Sequence, residues 1–186
     1  GVDFAAWCTY KYLNSGPGSL SGLFVHEKHA NRKDLPRFAG WWNHNKETRF
    51  NMRQPFDVME GAEGWQLSNP PILSMAAIKA SLDIFEKVGM TALLKKSKRL
   101  TGFFEYLIHQ IASDTIKIIT PSNPNQRGCQ LSLQVKNADK NLHHKLTEHH
   151  IITDWREPDV IRCAPVPMYT SFEDVYHMVK TLESLL

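Results

Sequence analysis

Apolar and polar positions along this chain follow three different rules in turn. Residues 1–29 read as strand, tight turn and strand. Val2-Asp3-Phe4-Ala5-Ala6-Trp7-Cys8 is apolar and aromatic-rich, which predicts a buried strand. Gly16-Pro17-Gly18 punctuates the turn, and Leu20-Ser21-Gly22-Leu23-Phe24-Val25 forms the second strand, running out at His26-Glu27-Lys28-His29. Residues 30–68 show little periodicity but hold Trp41, Trp42, Phe50, Phe56 and Trp65. A stretch that long without regular structure is usually functional or packs against something.

Helical spacing takes over at Pro70-Pro71, residues suited to a first turn because the N–H that proline lacks has no partner there anyway. Ile72, Met75, Ala76, Ile78, Leu82 and Phe85 fall on one stripe up to Gly89. From about Met90 a second helix places Leu93, Leu100, Phe104, Leu107, Ile108 and Ile111 on one face, and both stripes read as core. The last third alternates. Ile116-Lys117-Ile118-Ile119 is a short strand. Cys129, Leu131, Leu133 and Val135 then interleave with Gln130, Ser132 and Gln134, the period of a sheet with one wet face. A helix over roughly 139–149 and strands near 150–155 and 160–164 follow. Ser171-Phe172-Glu173-Asp174 matches a capping box and opens a terminal helix with Phe172, Val175, Val179, Leu182 and Leu186 inward. The sum is an α/β chain: a small α/β sandwich after two helices, preceded by a piece of a different sheet.

Composition narrows the function classes only slightly. The 186 residues are 42% hydrophobic and 22% charged, with a net charge of +3, too mild to argue for nucleic acid. The basic run Lys95-Lys96-Ser97-Lys98-Arg99 lies inside a helical pattern and reads as its solvated face. No apolar stretch approaches the length of a membrane span. Cys8, Cys129 and Cys163 are odd in number, far apart and without a CxxC pair, which favours reduced thiols in a cytoplasmic protein over a disulfide frame or zinc site. The chain opens almost directly into a strand, without initiator methionine or signal-peptide pattern, and is expected to be the C-terminal portion of a larger protein.

Candidate chemistry concentrates at Tyr10-Lys11-Tyr12-Leu13-Asn14-Ser15-Gly16-Pro17-Gly18. A lysine at the mouth of a buried strand must be paired, solvated or neutralised, and a neutral amine is a nucleophile for carbonyl compounds. On spacing alone the simpler reading is a lysine whose head reaches water. Gly16 to Gly22 fails as a nucleotide loop because the third glycine is misplaced and a strand follows. His26-Glu27-Lys28-His29 is one residue short of HExxH, and His143-His144 and His149-His150 read as surface histidines. Arg162, in Val160-Ile161-Arg162-Cys163, points away from the apolar side of its strand with no acid adjacent in sequence. Its guanidinium meets either a remote carboxylate of the protein or one on a ligand, and spacing leaves the two even.

Taken together, Asp3 to Asn14, Phe24-Val25-His26-Glu27-Lys28-His29, Gly40-Trp41, Thr48-Arg49-Phe50, Ser68-Asn69-Pro70-Pro71-Ile72 and Ile161 to Pro167 resemble kynureninase, with the blocks in that family's order. The resemblance runs nearly the whole length of the chain and covers the C-terminal half or less of the family. It implies the C-terminal part of a type I pyridoxal-phosphate-dependent transferase fold. Residues 1–69 would be the end of the cofactor-binding large domain, and 70–186 an interdomain helix with the small α/β domain. It implies a homodimeric hydrolase that uses pyridoxal 5'-phosphate to convert L-kynurenine or 3-hydroxy-L-kynurenine to an anthranilate and L-alanine. By the same resemblance Lys11 is the Schiff-base lysine, and Tyr10 a phosphate-binding hydroxyl and proton donor. Trp41 and Asn69 reach the cofactor phosphate region across the dimer interface, Arg162 holds the substrate α-carboxylate, and Asn69 is a substrate-binding residue as well. The carboxylate that pairs with the pyridine nitrogen lies upstream in this fold, and Asp3 stands too near Lys11 along one strand to take that role. Residues 1–186 alone are therefore expected to bind the cofactor weakly and to be inactive. Two rival readings are another enzyme of the same fold type, such as an aminotransferase or a cysteine desulfurase, and a truncated interaction domain that keeps the dimer-forming surface. A desulfurase needs a mobile cysteine, whereas Cys129 sits in an alternating strand pattern.

Overall fold

The computed structural model describes residues 1–51, 55–111 and 114–186. It divides into two compact units, Gly1–Lys87 and Val88–Leu186, each taken by itself below.

The first unit begins with an antiparallel pair, β1 (Phe4–Cys8) and β2 (Ser21–Val25), in the register Phe4↔Val25 to Cys8↔Ser21. Trp7 lies opposite Gly22, where an added Cβ would come within 2.3 Å of the indole. The glycine therefore makes room for the tryptophan. The strand read as buried is instead largely exposed: Phe4 is 42% and Trp7 47% accessible. The physical reason is that a two-stranded ribbon meets scattered ring contacts, such as Phe4 against His29 and Trp65, in place of a continuous apolar layer. Among the described residues of 30–68 there are short 3-10 turns, at Arg49–Asn51 and Gly61–Trp65, and one isolated bridge, His44 to Val58. Helix α1 (Ile72–Val88) starts just after the two prolines. Its predicted apolar stripe is only partly covered: Ile72, Met75 and Leu82 are exposed, and the more protected face runs through Ser74, Ile78, Ser81 and Phe85. The spacing expected for a buried helix is present, yet Ser81 is the residue of the helix that is buried.

The second unit closes a core. Helix α2 (Met90–Gln110) follows Gly89, whose φ of +80° suits a residue without a side chain. Strands β3 (Ile116–Ile118), β4 (Leu131–Val135), β5 (Asp154–Arg156) and β6 (Val160–Cys163) form one antiparallel sheet in the order β3-β4-β6-β5. Helix α3 (Lys140–Glu148) joins β4 to β5, and α4 (Phe172–Leu185) ends the chain. Leu100, Phe104 and Ile108 of α2 share one buried cluster with Leu131, Leu133 and Val135 of β4, Leu142 and Leu146 of α3, and Val175, Val179 and Leu182 of α4. The alternation of β4 is realised as buried odd positions and half-buried even ones. Cys129 lies two residues before that strand rather than in it. Asp139 caps α3 by accepting from the Asn141 N–H at 2.9 Å. Ser171 and Asp174 close the predicted capping box at α4. Phe172, the first residue of α4, and Leu186, just past its end, depart from the expected inward set; both are more than 40% exposed. No described helix is long and apolar enough to cross a membrane.

Candidate active site

Lys11 stands on a loop whose neck is closed by two side chains that carry no motif of their own. Thr9 follows β1 and is 2% exposed; its hydroxyl donates to the Leu20 carbonyl and accepts from Ser15 Oγ at 2.8 Å. The Ser15 N–H returns to the Thr9 carbonyl at 3.3 Å. Between these pins, the Asn14 N–H donates to the Lys11 carbonyl at 3.0 Å, with Asn14 in the left-handed region at φ 53°. Asparagine tolerates that region better than most residues. Tyr10, Lys11 and Tyr12 are thereby turned outward. The Lys11 ammonium lies 5.3 Å from the centroid of the Tyr10 ring. Among the described residues no carboxylate comes within ion-pair distance of it. A desolvated lysine is thus not what this chain displays; Lys11 is exposed, because the strand it follows is uncovered.

Asp3 is engaged elsewhere. Its carboxylate meets Lys28 Nζ at 2.5 Å and His29 Nε2 at 2.7 Å, and its carbonyl accepts from the His26 N–H. The Lys28 hydrogen bond first, then that of His29, holds the Asp3 carboxyl down at about 2. His29 also stacks on Phe4, with centroids 5.0 Å apart. The His26-to-His29 run is therefore a short turn tied to β1, with His26 Nδ1 accepting from the Lys28 N–H at its start.

Trp41 and Asn69 meet directly: the Trp41 indole N–H donates to Asn69 Oδ1 at 2.9 Å. Their meeting depends on Gly40. An added Cβ at that glycine would fall 2.3 Å from the Leu67 carbonyl oxygen, so only glycine lets the two backbones approach. The Trp42 N–H then donates to that same carbonyl at 3.2 Å, setting residue 41 beside residue 69. Asn43 anchors the arrangement. It is 0% exposed; its amide donates to the Phe38 and Gly64 carbonyls at 3.0 and 3.1 Å, and its Oδ1 accepts from the Gly40 N–H at 2.8 Å. Arg49 braces the far side, donating to the Trp42 and His44 carbonyls with its guanidinium 4.9 Å from the Trp42 ring. Asn43 is not legible in the sequence as a site-supporting residue. Its one signal is a small amide directly after Gly40-Trp41-Trp42.

In the second unit Arg162 occupies the wet face of β6, as alternation predicts, and is half-buried. The acid missing from its sequence neighbourhood comes from the next strand. Asp154, directly opposite on β5, accepts from Arg162 Nε at 2.5 Å and also from its Nη2. A hollow of about 440 Å³ lies beside α4, lined in part by His149, His150, His177 and Cys163, and Arg162 is not among its lining residues. Burial pushes the Cys163 thiol up to about 12, so it is inert there.

Solved structures define the class of fold. A C-DES mutant with glycine covalently linked to its PLP cofactor superposes with a TM-score of 0.77 at 19% identity, over 98% of this chain and 46% of that one. The Escherichia coli cysteine desulfurase CsdA superposes with a TM-score of 0.75 at 13% identity, again over 98% and 46%. The architecture is thus the C-terminal part of the type I PLP-dependent enzyme fold. Sequence narrows it further. Residues 93–182 match the family described as the kynureninase C-terminal domain. The chain is 56% identical to the kynureninase of Myxococcus xanthus over 98% of its own length, and 54% identical to that of Flavobacterium johnsoniae over the same share. It belongs to the kynureninase family, and it spans 43% and 44% of those two relatives.

Proposed function

We propose that this chain is the lysine-bearing C-terminal part of a homodimeric, cytoplasmic kynureninase that hydrolyses L-kynurenine or its 3-hydroxy analogue to an anthranilate and L-alanine. The observation that carries the reading is the Lys11 loop, an outward-facing lysine with no acidic partner among the described residues, on a neck pinned by Thr9 and Ser15. Identity above 50% to kynureninases over almost the whole chain supports it. The donors present suit pyridoxal phosphate. The Tyr10 hydroxyl, the Trp41 indole N–H and the Asn69 amide are uncharged donors, and no carboxylate is bonded to any of them among the described residues. Such donors favour an anionic phosphate group.

In this reading Lys11 holds the cofactor through its amine, and Tyr10, Trp41 and Asn69 serve its phosphate end. We assign Trp41 and Asn69 to a neighbouring subunit's cofactor, which their position at the surface of this chain allows. Bound pyridoxal phosphate supplies an electron sink conjugated to the substrate amine, which makes bonds at the neighbouring carbons easier to break. The chain's own residues do the rest. Once the substrate amine has displaced it, the freed Lys11 amine would take the substrate Cα proton as a base and return it as an acid. Arg162 grips the α-carboxylate and so keeps the scissile Cβ–Cγ bond aligned. Tyr10 donates a hydrogen bond to the oxygen that gains charge as water adds to the γ-carbonyl.

Lys11→Arg in a polypeptide of the family's full length tests this. The expected result is loss of kynurenine turnover by roughly 10³-fold or more, as when one member of a catalytic unit is removed. The borohydride-trapped adduct should vanish with it. Persistence of both turnover and adduct would overturn the assignment.

A further inference from the structure

Arg162 and Asp154 are directly opposite one another in the β5–β6 register, and the shape of their contact is specific. Both Arg162 Nε and Nη2 donate to the single oxygen Oδ2 of Asp154. A guanidinium has two edges that can take a carboxylate, the side-on edge of Nε and Nη2 and the end-on edge of Nη1 and Nη2. Asp154 occupies the side-on edge. Nη1 has no acceptor among the described residues, so the end-on edge remains open. On its other flank Arg162 faces Ser132 of β4, a side chain too short to fix a guanidinium. Asp154 is thus the group that sets the arginine's direction. Arg156 Nη2 reaches the same Asp154 oxygen at 3.2 Å, so that oxygen serves two guanidinium groups.

Building on the reading of Arg162 as the substrate-carboxylate ligand, we infer that Asp154 is a positioning residue, clamping the side-on edge of Arg162 so that its end-on edge is presented to the substrate α-carboxylate. Two opposed effects follow from such a clamp. Holding the arginine in advance spares the rotamer entropy otherwise lost on binding, which tightens carboxylate binding. The negative charge beside the guanidinium weakens the attraction for a second carboxylate. Arg156 offsets part of that second effect, because it shares the oxygen that faces Arg162. Preorganisation therefore wins, and removing Asp154 weakens binding.

The test uses the full-length polypeptide loaded with pyridoxal phosphate. Asp154→Ala and Asp154→Asn are compared in the wild-type and Arg162→Ala backgrounds. Asp154→Ala is expected to raise KM for L-kynurenine by about five- to tenfold with kcat nearly unchanged, the scale of freeing one rotamer-rich side chain. Asp154→Asn, which keeps an acceptor oxygen, should fall between wild type and alanine. By calorimetry the same change should weaken L-alanine binding by a similar factor and leave L-alaninamide, which lacks the carboxylate, unaffected. In the Arg162→Ala background neither substitution should add anything, because the group they position is gone. A KM equal to or below wild type in Asp154→Ala would overturn the proposal. So would an equal rise in both backgrounds, which marks a general effect on folding. If wild type turns over no kynurenine, the functional reading fails on its own, while the difference between L-alanine and L-alaninamide still decides the role of Asp154.

Discussion

Residues 88–186 and residues 1–87 are stabilised by different means. The later unit is held by periodic apolar side chains that meet in one dry cluster, with Leu100, Leu131, Leu133, Leu146, Ile161 and Leu182 at 0% exposure. The earlier unit leaves Phe4, Trp7, Phe24, Phe38, Ile72 and Leu73 exposed. Its interior order comes from side chains that bond to backbone: Asn43 to Phe38 and Gly64, Arg49 to Trp42 and His44, Thr9 to Leu20. Apolar burial is non-directional and tolerates adjustment, whereas a buried polar anchor either makes its bonds or leaves several groups unsatisfied. The residues proposed for the cofactor all sit in the unit built the second way.

The sharpest way to break this contrast is to cut into the apolar cluster. Phe104→Ala should destabilise the second unit by roughly 3–5 kcal/mol. Urea unfolding followed through Trp155, the one tryptophan between residues 88 and 186, checks it. A loss below about 1 kcal/mol would mean that the cluster does not carry the unit. Next in size is Asn43→Ala, which strands the Gly40 N–H and the Phe38 carbonyl, while the Gly64 carbonyl keeps its bond from Arg37. Each buried group left unmet costs about 1–3 kcal/mol, reduced where water can enter. Faster amide exchange at Gly40 is the expected signature, together with loosening of the Trp41–Asn69 contact.

The smallest effect concerns acid. Asp3 titrates at about 2 in the folded chain against 3.8 unperturbed. A carboxyl held low when folded contributes stability that is complete above its unfolded value and is lost as pH falls toward the folded one. The tie between β1 and the His26-to-His29 turn should therefore weaken between about pH 4 and pH 2. A carboxyl-carbon titration of Asp3 by NMR measures it, and a midpoint near 4 would show that Lys28 and His29 do not hold the group.

Much of the second unit is legible in the order of its residues, down to the burial alternation of β4 and the capping box at Ser171, because periodicity and capping are properties of near neighbours in the chain. The same reasoning misplaces the α1 stripe and the burial of β1. Helical spacing shows which face is apolar, but not whether anything lies against it. Lys11 and Arg162 stand out by the company they keep in sequence. The loop neck at Thr9 and Ser15 does not, since its closing bond runs to Leu20, beyond the turn.

What this polypeptide's order of residues determined on its own was the kind of element each stretch becomes, the family it joins and the positions of its chemically distinctive side chains. Folding in three dimensions decided the rest: that Gly40 lies against Leu67, that Asn43 is the interior anchor, and that Asp154 is the partner of Arg162. The reason is one of range. Propensity and periodicity act over a few residues, while these contacts join groups brought together only when the chain closes, and a partner eight or more residues away leaves no mark in local spacing.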